Sequence, residues 1–221
     1  MTAPGPKTRT LETSSLDTLD AYRLLTHAVA PRPIAFVSTA SAAGARNLAP
    51  FSFFMGGGAS PPSVVISPTT SRKGGPNDTL RNIVETGEFV INLVSFDMRL
   101  GMNQASFPYP PEESEWPHAH FTAAPSRLVA PPRVAESAMS LECRCFQVIP
   151  HGSGPISANY VIGEVVCFHV AEHLFDATGQ VDPRRVDYIS RLGADWYGRI
   201  TPDVLFELAR PDSPEARWRS G

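Results

Sequence analysis

Residues 31–54 read PRPIAFVSTASAAGARNLAPFSFF, and the pattern of this stretch sets the fold class. Ile34, Phe36 and Val37 place β-branched and aromatic side chains in a short run from Pro33 to Thr39. Ala42, Ala43 and Gly44 then supply small turn residues, and a second apolar run follows from Asn47 to Phe54. This is the pattern of a β-hairpin. Further along, Pro61 and Pro62 set off a third strand, Ser63–Ser67, through Val64, Val65 and Ile66. The period then changes: Asp78 fits a helix N-cap, Leu80, Ile83 and Val84 share one helical face, and Gly87 can close the helix in a left-handed conformation. Phe89, Ile91 and Leu93 alternate with Val90, Asn92 and Val94. Both sides of that strand are rather apolar, which places it in the centre of a barrel.

The rest of the chain continues the theme. Strands are predicted at Leu141–Ile149, Asn159–Val170 and Val204–Leu208, and Asp182 followed by Pro183 predicts a short helix through Ile189. Ser15 is read as the cap of a helix carrying Leu16, Leu19, Leu24 and Leu25. Gly56, Gly57 and Gly58, with no lysine or helix behind them, read as a flexible bend. The 22 prolines gather at segment junctions, where they end strands rather than interrupt them. Strands outnumber helices, so the expected fold is mostly β, an antiparallel barrel with a few short peripheral helices. One domain is expected over residues 15–210, between a loose tail at 1–14 and a C-terminal tail at 211–221. The Pro-rich segment Phe107–Pro132 fits no element and is too long for an idle loop.

Charge and motifs narrow the function. A formal charge of -3, from 22 acidic and 19 basic residues, gives no broad attraction to nucleic acid or to an anionic membrane, so a small ligand is expected. The chain has no 18-residue apolar run, and Met1–Ser15 is polar, so a cytoplasmic location is the expectation. Three cysteines are an odd count, and Cys143 and Cys145 share a strand face, which argues against a disulfide framework. Neither GxGxxG nor GxxxxGK[ST] occurs, and there is no GxSxG elbow for a serine nucleophile. Cys143, Cys145, His151, His169 and His173 do not follow the pairing of zinc ligands, so no metal is expected.

Hydroxyls and positive charge concentrate instead in Ser67, Thr69, Thr70, Ser71, Arg72, Lys73 and Thr79. A phosphate monoester is best held by two cations and several short donors, which this set offers, although a solvated turn gives the same composition. Just before it, Asn47–Phe54 offers backbone and small side chains beside a strand edge, a surface on which a flat heterocycle can lie.

Taken in order, PRPIAFVST (31–39), GARNLAPFSFF (44–54), the proline pair at 61–62, Lys73 followed by DTLRNI (78–83), GEFVIN (87–92) and YISRLGADWY (188–197) resemble the flavin reductase-like, FMN-binding split barrel proteins. That family includes flavoredoxin and the reductase components of two-component monooxygenases, and the resemblance covers about residues 20–200. It implies a split β-barrel that binds FMN and uses NADH or NADPH as hydride donor. It further implies that Asn47, Leu48, Ala49, Phe51, Ser52 and Phe53 lie along the isoalloxazine, mainly through backbone donors. Ser38 and Thr39 match the strand end near the ribityl chain and phosphate, and Ser71, Arg72, Lys73, Asp78 and Thr79 match the phosphate side. Arg191 and Tyr197 match a C-terminal motif that reaches the site from the same or the partner subunit of a homodimer.

The implied activity is an NAD(P)H-dependent FMN reductase that can supply a partner monooxygenase. Hydride transfer to a flavin needs orientation and exclusion of water more than a protein acid or base, so no catalytic side chain is assigned. Two alternatives remain at this stage: a flavoredoxin-like electron carrier or flavin-binding protein without nicotinamide-dependent activity, and a pyridoxamine phosphate oxidase-like enzyme. His120 is read as a surface histidine of the Pro-rich segment rather than part of a nicotinamide pocket.

Overall fold

The computed structural model describes residues 5–71, 75–110 and 113–210. Helix α1 spans Thr18–Ala28, followed by strands β1 (Arg32–Pro33), β2 (Ala35–Ala40), β3 (Arg46–Phe51), β4 (Phe54–Ala59) and β5 (Pro62–Ile66). Helix α2 (Asp78–Thr86) leads into β6 (Glu88–Leu93), then α3 (Arg99–Gln104), α4 (Glu115–Ala119) and the short strands β7 (Ala123–Ala124) and β8 (Arg133–Val134). The long strands β9 (Met139–His151) and β10 (Ala158–Val170) follow, and β11 (Ile189–Arg191) and β12 (Tyr197–Arg199) end the ordered pattern.

The main sheet has seven strands in the order β3-β2-β6-β9-β10-β5-β4, and every pairing in it is antiparallel. Its two edge strands, β3 and β4, are consecutive in the chain and joined only by Ser52 and Phe53. A sheet whose opposite edges are two residues apart has to curl round on itself, so it is a barrel left open along one seam. This is a split barrel, as the family resemblance implied, but the expected single strand Asn47–Phe54 is divided by the seam. Pro50 contributes no N–H to the outer edge, and the chain crosses from one side of the opening to the other at Ser52–Phe53.

Inside the barrel, Ala35, Val37, Val64, Ile66, Phe89, Ile91, Leu141, Val161 and Val165 form one cluster, closed at its end by Leu80 and Ile83 of α2. The other face of β2 supplies Phe36, together with Ile34 just before the strand, to a second cluster with Leu48, Val94, Met98, Met102, Trp116 and Val134. Both sides of β2 and β6 are thus buried, and β6 is paired on both edges as its apolar alternation required. A Cβ at Gly163 would lie 2.4 Å from Phe89 Cζ, so the strand register is fixed where β10 shifts against β9.

Several local expectations are corrected. The cap of α1 is Asp17, which accepts from Asp20 N at 2.8 Å, not Ser15. Leu19, Leu24 and Leu25 are 46%, 45% and 51% exposed, so the apolar side chains of α1 are only half covered within the chain. The cap of α2 is Asn77, one residue before Asp78, and Val84 points to solvent, whereas Gly87 closes the helix at φ 72° as expected. Gly56–Gly58 form part of β4 rather than a bend. A Cβ at Gly57 would fall 2.6 Å from Ser63 Oγ, so glycine lets the two strands lie close. Asp182–Pro183 opens only a single 3-10 turn, Pro183–Arg185, because Ile189 is drawn into β11. Val204–Leu208 does not form the expected strand: Val204 ends a 3-10 turn at Pro202–Val204, the residues after it pair with no strand among the described residues, and Phe206 is 83% exposed. The predicted tail at 211–221 lies outside the described residues.

Candidate functional site

The open seam exposes the outer edge of β3, and each described site residue can be placed against it. Ser38, Thr39 and Leu48 lie beneath the edge and are fully buried. The Ser38 hydroxyl donates to Pro132 O, and Thr39 Oγ1 accepts from Asn82 Nδ2 at 2.9 Å, so both hydroxyls are engaged inside the fold. Leu48 N donates to Glu115 Oε2 at 2.9 Å and Ser114 Oγ to Arg46 O at 2.7 Å, so the start of α4 covers the first half of the edge. Because alternate amides point outward and Pro50 has none, the next outward donor belongs to Ser52.

Asn47 and Thr79, both buried, are joined at 2.8 Å between Asn47 and the Thr79 hydroxyl. With the Asn47 amide oriented to satisfy its neighbours, its nitrogen also donates to Glu115 Oε1 at 3.1 Å. Burial pushes the Glu115 carboxyl above its ordinary range, against the opposing pull of the Leu48 amide.

The groove follows this spine. Asn47, Ala49, Phe51, Asp78 and Thr79 line one cleft of about 220 Å³, walled across by Ser106–Tyr109. Pro50 and Ser106 continue into a second cleft of about 450 Å³ with Ser52, Tyr22, Arg191 and Tyr197. Tyr22 continues into a third, of about 360 Å³, with Phe53, Ser67, Thr69, Ala158 and Tyr160. The walls near Phe51 and Phe53 combine core packing with exposure. Phe51 rests on the barrel core, and Phe53 meets the Tyr22 ring edge-on at 6.2 Å.

The C-terminal strands bring Arg191 and Tyr197 to the groove within the same chain. They are register partners in β11 and β12, and the guanidinium lies 4.4 Å above the phenol ring. Arg32, paired with Arg191 across β1 and β11, is buried and reaches Ser52 Oγ at 3.3 Å and Leu192 O at 2.7 Å, with further bonds to Thr26 O and Val29 O. It thereby ties α1, the C-terminal strands and the seam together.

The phosphate-side segment is anchored at several points. Ser67 N donates to Phe53 O at 2.8 Å, Thr70 Oγ1 donates to Gly154 O at 2.6 Å, and Asn77 Nδ2 donates to Thr69 O at 3.3 Å. Ser67 Oγ is buried with no hydrogen-bond partner, although Ser67 lines the third cleft. A buried hydroxyl without a partner is costly unless a ligand meets it. Ser71 is exposed, its N–H on Gly75 O at 3.0 Å, and Asp78 is ion-paired with Arg81. Arg72 and Lys73 lie outside the described residues.

Some participants escaped sequence reasoning. Glu115, Tyr22, Arg32, Asn77 and Tyr160 were not singled out. The Ser114-Glu115-Trp116 run carries a helix-start signal, but nothing in its spacing points to β3. His120 is exposed and ends α4 in a left-handed conformation. Glu142, Cys167 and His169 place three ligand-type atoms within 4.8 Å, a trio that pattern matching passed over. The carboxylate is already engaged by Arg127 N at 2.7 Å, Leu128 N at 2.6 Å and His169 Nε2 at 2.5 Å, which makes the cluster a structural clamp.

A split barrel with a flat-walled groove along its seam, flanked by hydroxyls on one side and a stacked arginine–tyrosine pair on the other, defines the class of split-barrel flavoproteins. The chain belongs to the flavin reductase like family, whose domain model matches residues 27–189. A Halalkalibacterium halodurans protein is 43% identical over 209 residues, covering 94% of this chain and 99% of that protein. Nitrilotriacetate monooxygenase component B from Bacillus cereus superposes with a TM-score of 0.85 at 33% identity, covering 92% of this chain and 100% of that one. The 2-nitrobenzoate 2-nitroreductase of Pseudomonas fluorescens superposes at 0.79 with 29% identity, covering 96% and 100%. Among the described residues no helix is long and apolar enough to cross a membrane.

Proposed function

We propose that the protein is an FMN reductase that takes hydride from NADH or NADPH and passes reduced flavin to a partner oxygenase. The observation that carries this reading is the continuous groove from Asn47 to Phe53, with the partnerless Ser67 hydroxyl beside its end. FMN, when bound, supplies the acceptor for the nicotinamide hydride. Asn47, Ala49, Phe51, Ser52 and Phe53 hold the ring system, with Leu48, Ser38 and Thr39 fixing the strand from below. Ser67 and Thr69 orient the ribityl and phosphate end, together with Ser71, Arg72, Lys73, Asp78 and Thr79. Arg191 and Tyr197 close the groove and exclude water.

Similarity to a monooxygenase component B supports the partner oxygenase. The exposed Leu19, Leu24 and Leu25 on α1 support a homodimer, and the three free cysteines suit a reducing cytoplasm. The test is to mix anaerobic protein and FMN with NADH or NADPH and follow flavin absorbance. Bleaching with at least one donor is expected; none with either donor overturns the reading.

A further inference from the structure

Three buried polar side chains from three elements, Thr79 of α2, Asn47 of β3 and Glu115 of α4, stand in a row in the wall of the cleft of about 220 Å³. Asn47 is the middle member. One end of its amide lies 2.8 Å from Thr79 Oγ1 and the other 3.1 Å from Glu115 Oε1. Leu48 N donates to Glu115 Oε2 at 2.9 Å, so Oε1 is the oxygen left to face Asn47. Among the described residues, Thr79 Oγ1 has no hydrogen-bond partner besides Asn47.

The row has two consistent arrangements of protons on the same heavy atoms, because a half-turn of the amide exchanges its oxygen and nitrogen. With Glu115 ionised, Asn47 Nδ2 donates to the carboxylate and Asn47 Oδ1 accepts from the Thr79 hydroxyl, whose proton is then used inside the wall. With Glu115 protonated, its O–H donates to Asn47 Oδ1 and Asn47 Nδ2 donates to Thr79 Oγ1. The Thr79 proton is then free to point into the cleft. Leu48 N, 3.2 Å from the Thr79 end of the amide, favours the first arrangement; burial, which holds the Glu115 carboxyl above its ordinary range, favours the second.

Other charges surround the carboxyl. Glu115 also lines a neighbouring cleft of about 650 Å³, where Arg46 of β3, Asp78, Arg81 and Glu85 of α2, and Glu113 just before α4 are the charged groups. Asp78 is ion-paired with Arg81, Glu113 lies 2.7 Å from His118, and Glu85 accepts from Ala42 N at 3.3 Å. His118 of α4 acts on Glu115 through its charge, against the effect of burial. Histidine is the side chain whose charge changes near neutral pH, so His118 is the control for any titration assigned to Glu115.

We infer that Glu115 is a positioning residue for the flavin phosphate: acting through Asn47, its proton decides whether Thr79 presents a hydroxyl donor or a lone pair to the cleft. The inference rests on the proposed flavin reading, in which Thr79 stands on the phosphate side, and adds the device that sets its grip. An ionised phosphate offers acceptors only, so it is held by the donor and not by the lone pair. One proton exchanges between Glu115 and water; nothing else is transferred. Flavin and proton therefore bind together, and the flavin is held less tightly as pH rises through the folded pKa of Glu115.

The test measures FMN affinity by fluorescence quenching between about pH 5 and pH 9 in wild type, Glu115→Gln and His118→Gln. The glutamine amide donates to Asn47 Oδ1 at every pH and so fixes the second arrangement. Wild type is expected to match Glu115→Gln at the acid end and to bind FMN roughly tenfold more weakly at the alkaline end, the scale of one charge-assisted hydrogen bond. The ratio between the two proteins cancels the titration of the FMN phosphate itself. His118→Gln should keep the wild-type fall, and riboflavin, which lacks the phosphate, should show none. In the flavin-free protein, NMR should show the Asn47 side-chain amide protons shifting in one titration in wild type and not in Glu115→Gln. A wild-type to Glu115→Gln ratio that is constant with pH, an Asn47 amide that does not titrate in wild type, loss of the fall in His118→Gln, or an equal fall with riboflavin overturns the inference. A titrating Asn47 amide in a protein that binds no FMN leaves the proton relay standing and rejects the flavin reading instead.

Discussion

Two buried glutamates show how the same side chain is put to opposite uses. Glu142, on β9, is fully buried and accepts from the Arg127 and Leu128 amides as well as from His169, and although burial alone would raise its pKa, these bonds hold it below the ordinary carboxylate range. Glu115, at the start of α4, is 8% exposed and accepts from the Leu48 amide and from Asn47, but burial outweighs these bonds and holds its pKa up. Burial pushes both carboxyls up, and the sign turns on whether the hydrogen bonds and the neighbouring His169 outweigh it, as they do for Glu142 and do not for Glu115. Glu142 is a locked clamp in the wall of the barrel, whereas Glu115 is a looser one on the edge strand that lines the groove.

The comparison can be broken most forcefully by removing the clamp. Glu142→Leu leaves two amides and His169 without their acceptor and is expected to cost about 3 kcal/mol in denaturant unfolding. A loss below about 1 kcal/mol would mean that the bonds contribute little. Glu115→Gln, which keeps an acceptor for Leu48 N, should cost about 1 kcal/mol or less at neutral pH by the same measurement.

The pH dependence sharpens the contrast because the two signs differ. Glu142, with its folded pKa depressed, gives stability that is present above its unfolded value and lost as pH falls through the folded one. Glu115, with its folded pKa raised, gives stability that is present below its unfolded value and lost as pH rises through the folded one. Unfolding followed from neutral to acid pH should therefore show a shallower acid loss in Glu142→Gln and a steeper one in Glu115→Gln than in wild type. The same direction of change in both variants contradicts the assignment. The smallest stability effect is expected at the groove itself: Ser67→Ala should leave stability within about 0.5 kcal/mol, since the hydroxyl has no partner, while weakening FMN several-fold. Unchanged FMN affinity would remove Ser67 from the site.

These two glutamates also mark what the sequence could and could not convey. The barrel was legible because β2, β6, β9 and β10 carry their alternation in consecutive residues, and the spine Asn47–Phe53 was legible because its residues adjoin one another in the chain. The Pro-rich segment was not, because apart from the two-residue ladder of β7 with β8 it is held by side chains. Glu142 grips Arg127 and Leu128, Glu88 accepts from Ala130 N at 2.8 Å, and Glu115 reaches back to Leu48. Such contacts leave no period. The seam was missed for a related reason: the run 47–54 is continuously apolar, and only the pairing of its two halves with opposite sheet edges divides it.

The most direct test of a flavin along β3 is FMN fluorescence titrated with wild type and with Ala49→Trp, which fills the groove from a half-buried position on that strand. Wild type is expected to quench FMN at one flavin per chain, and the variant, with an unchanged unfolding midpoint, to bind at least roughly tenfold more weakly. Equal quenching by the two proteins, or none by wild type, would contradict a flavin in this groove.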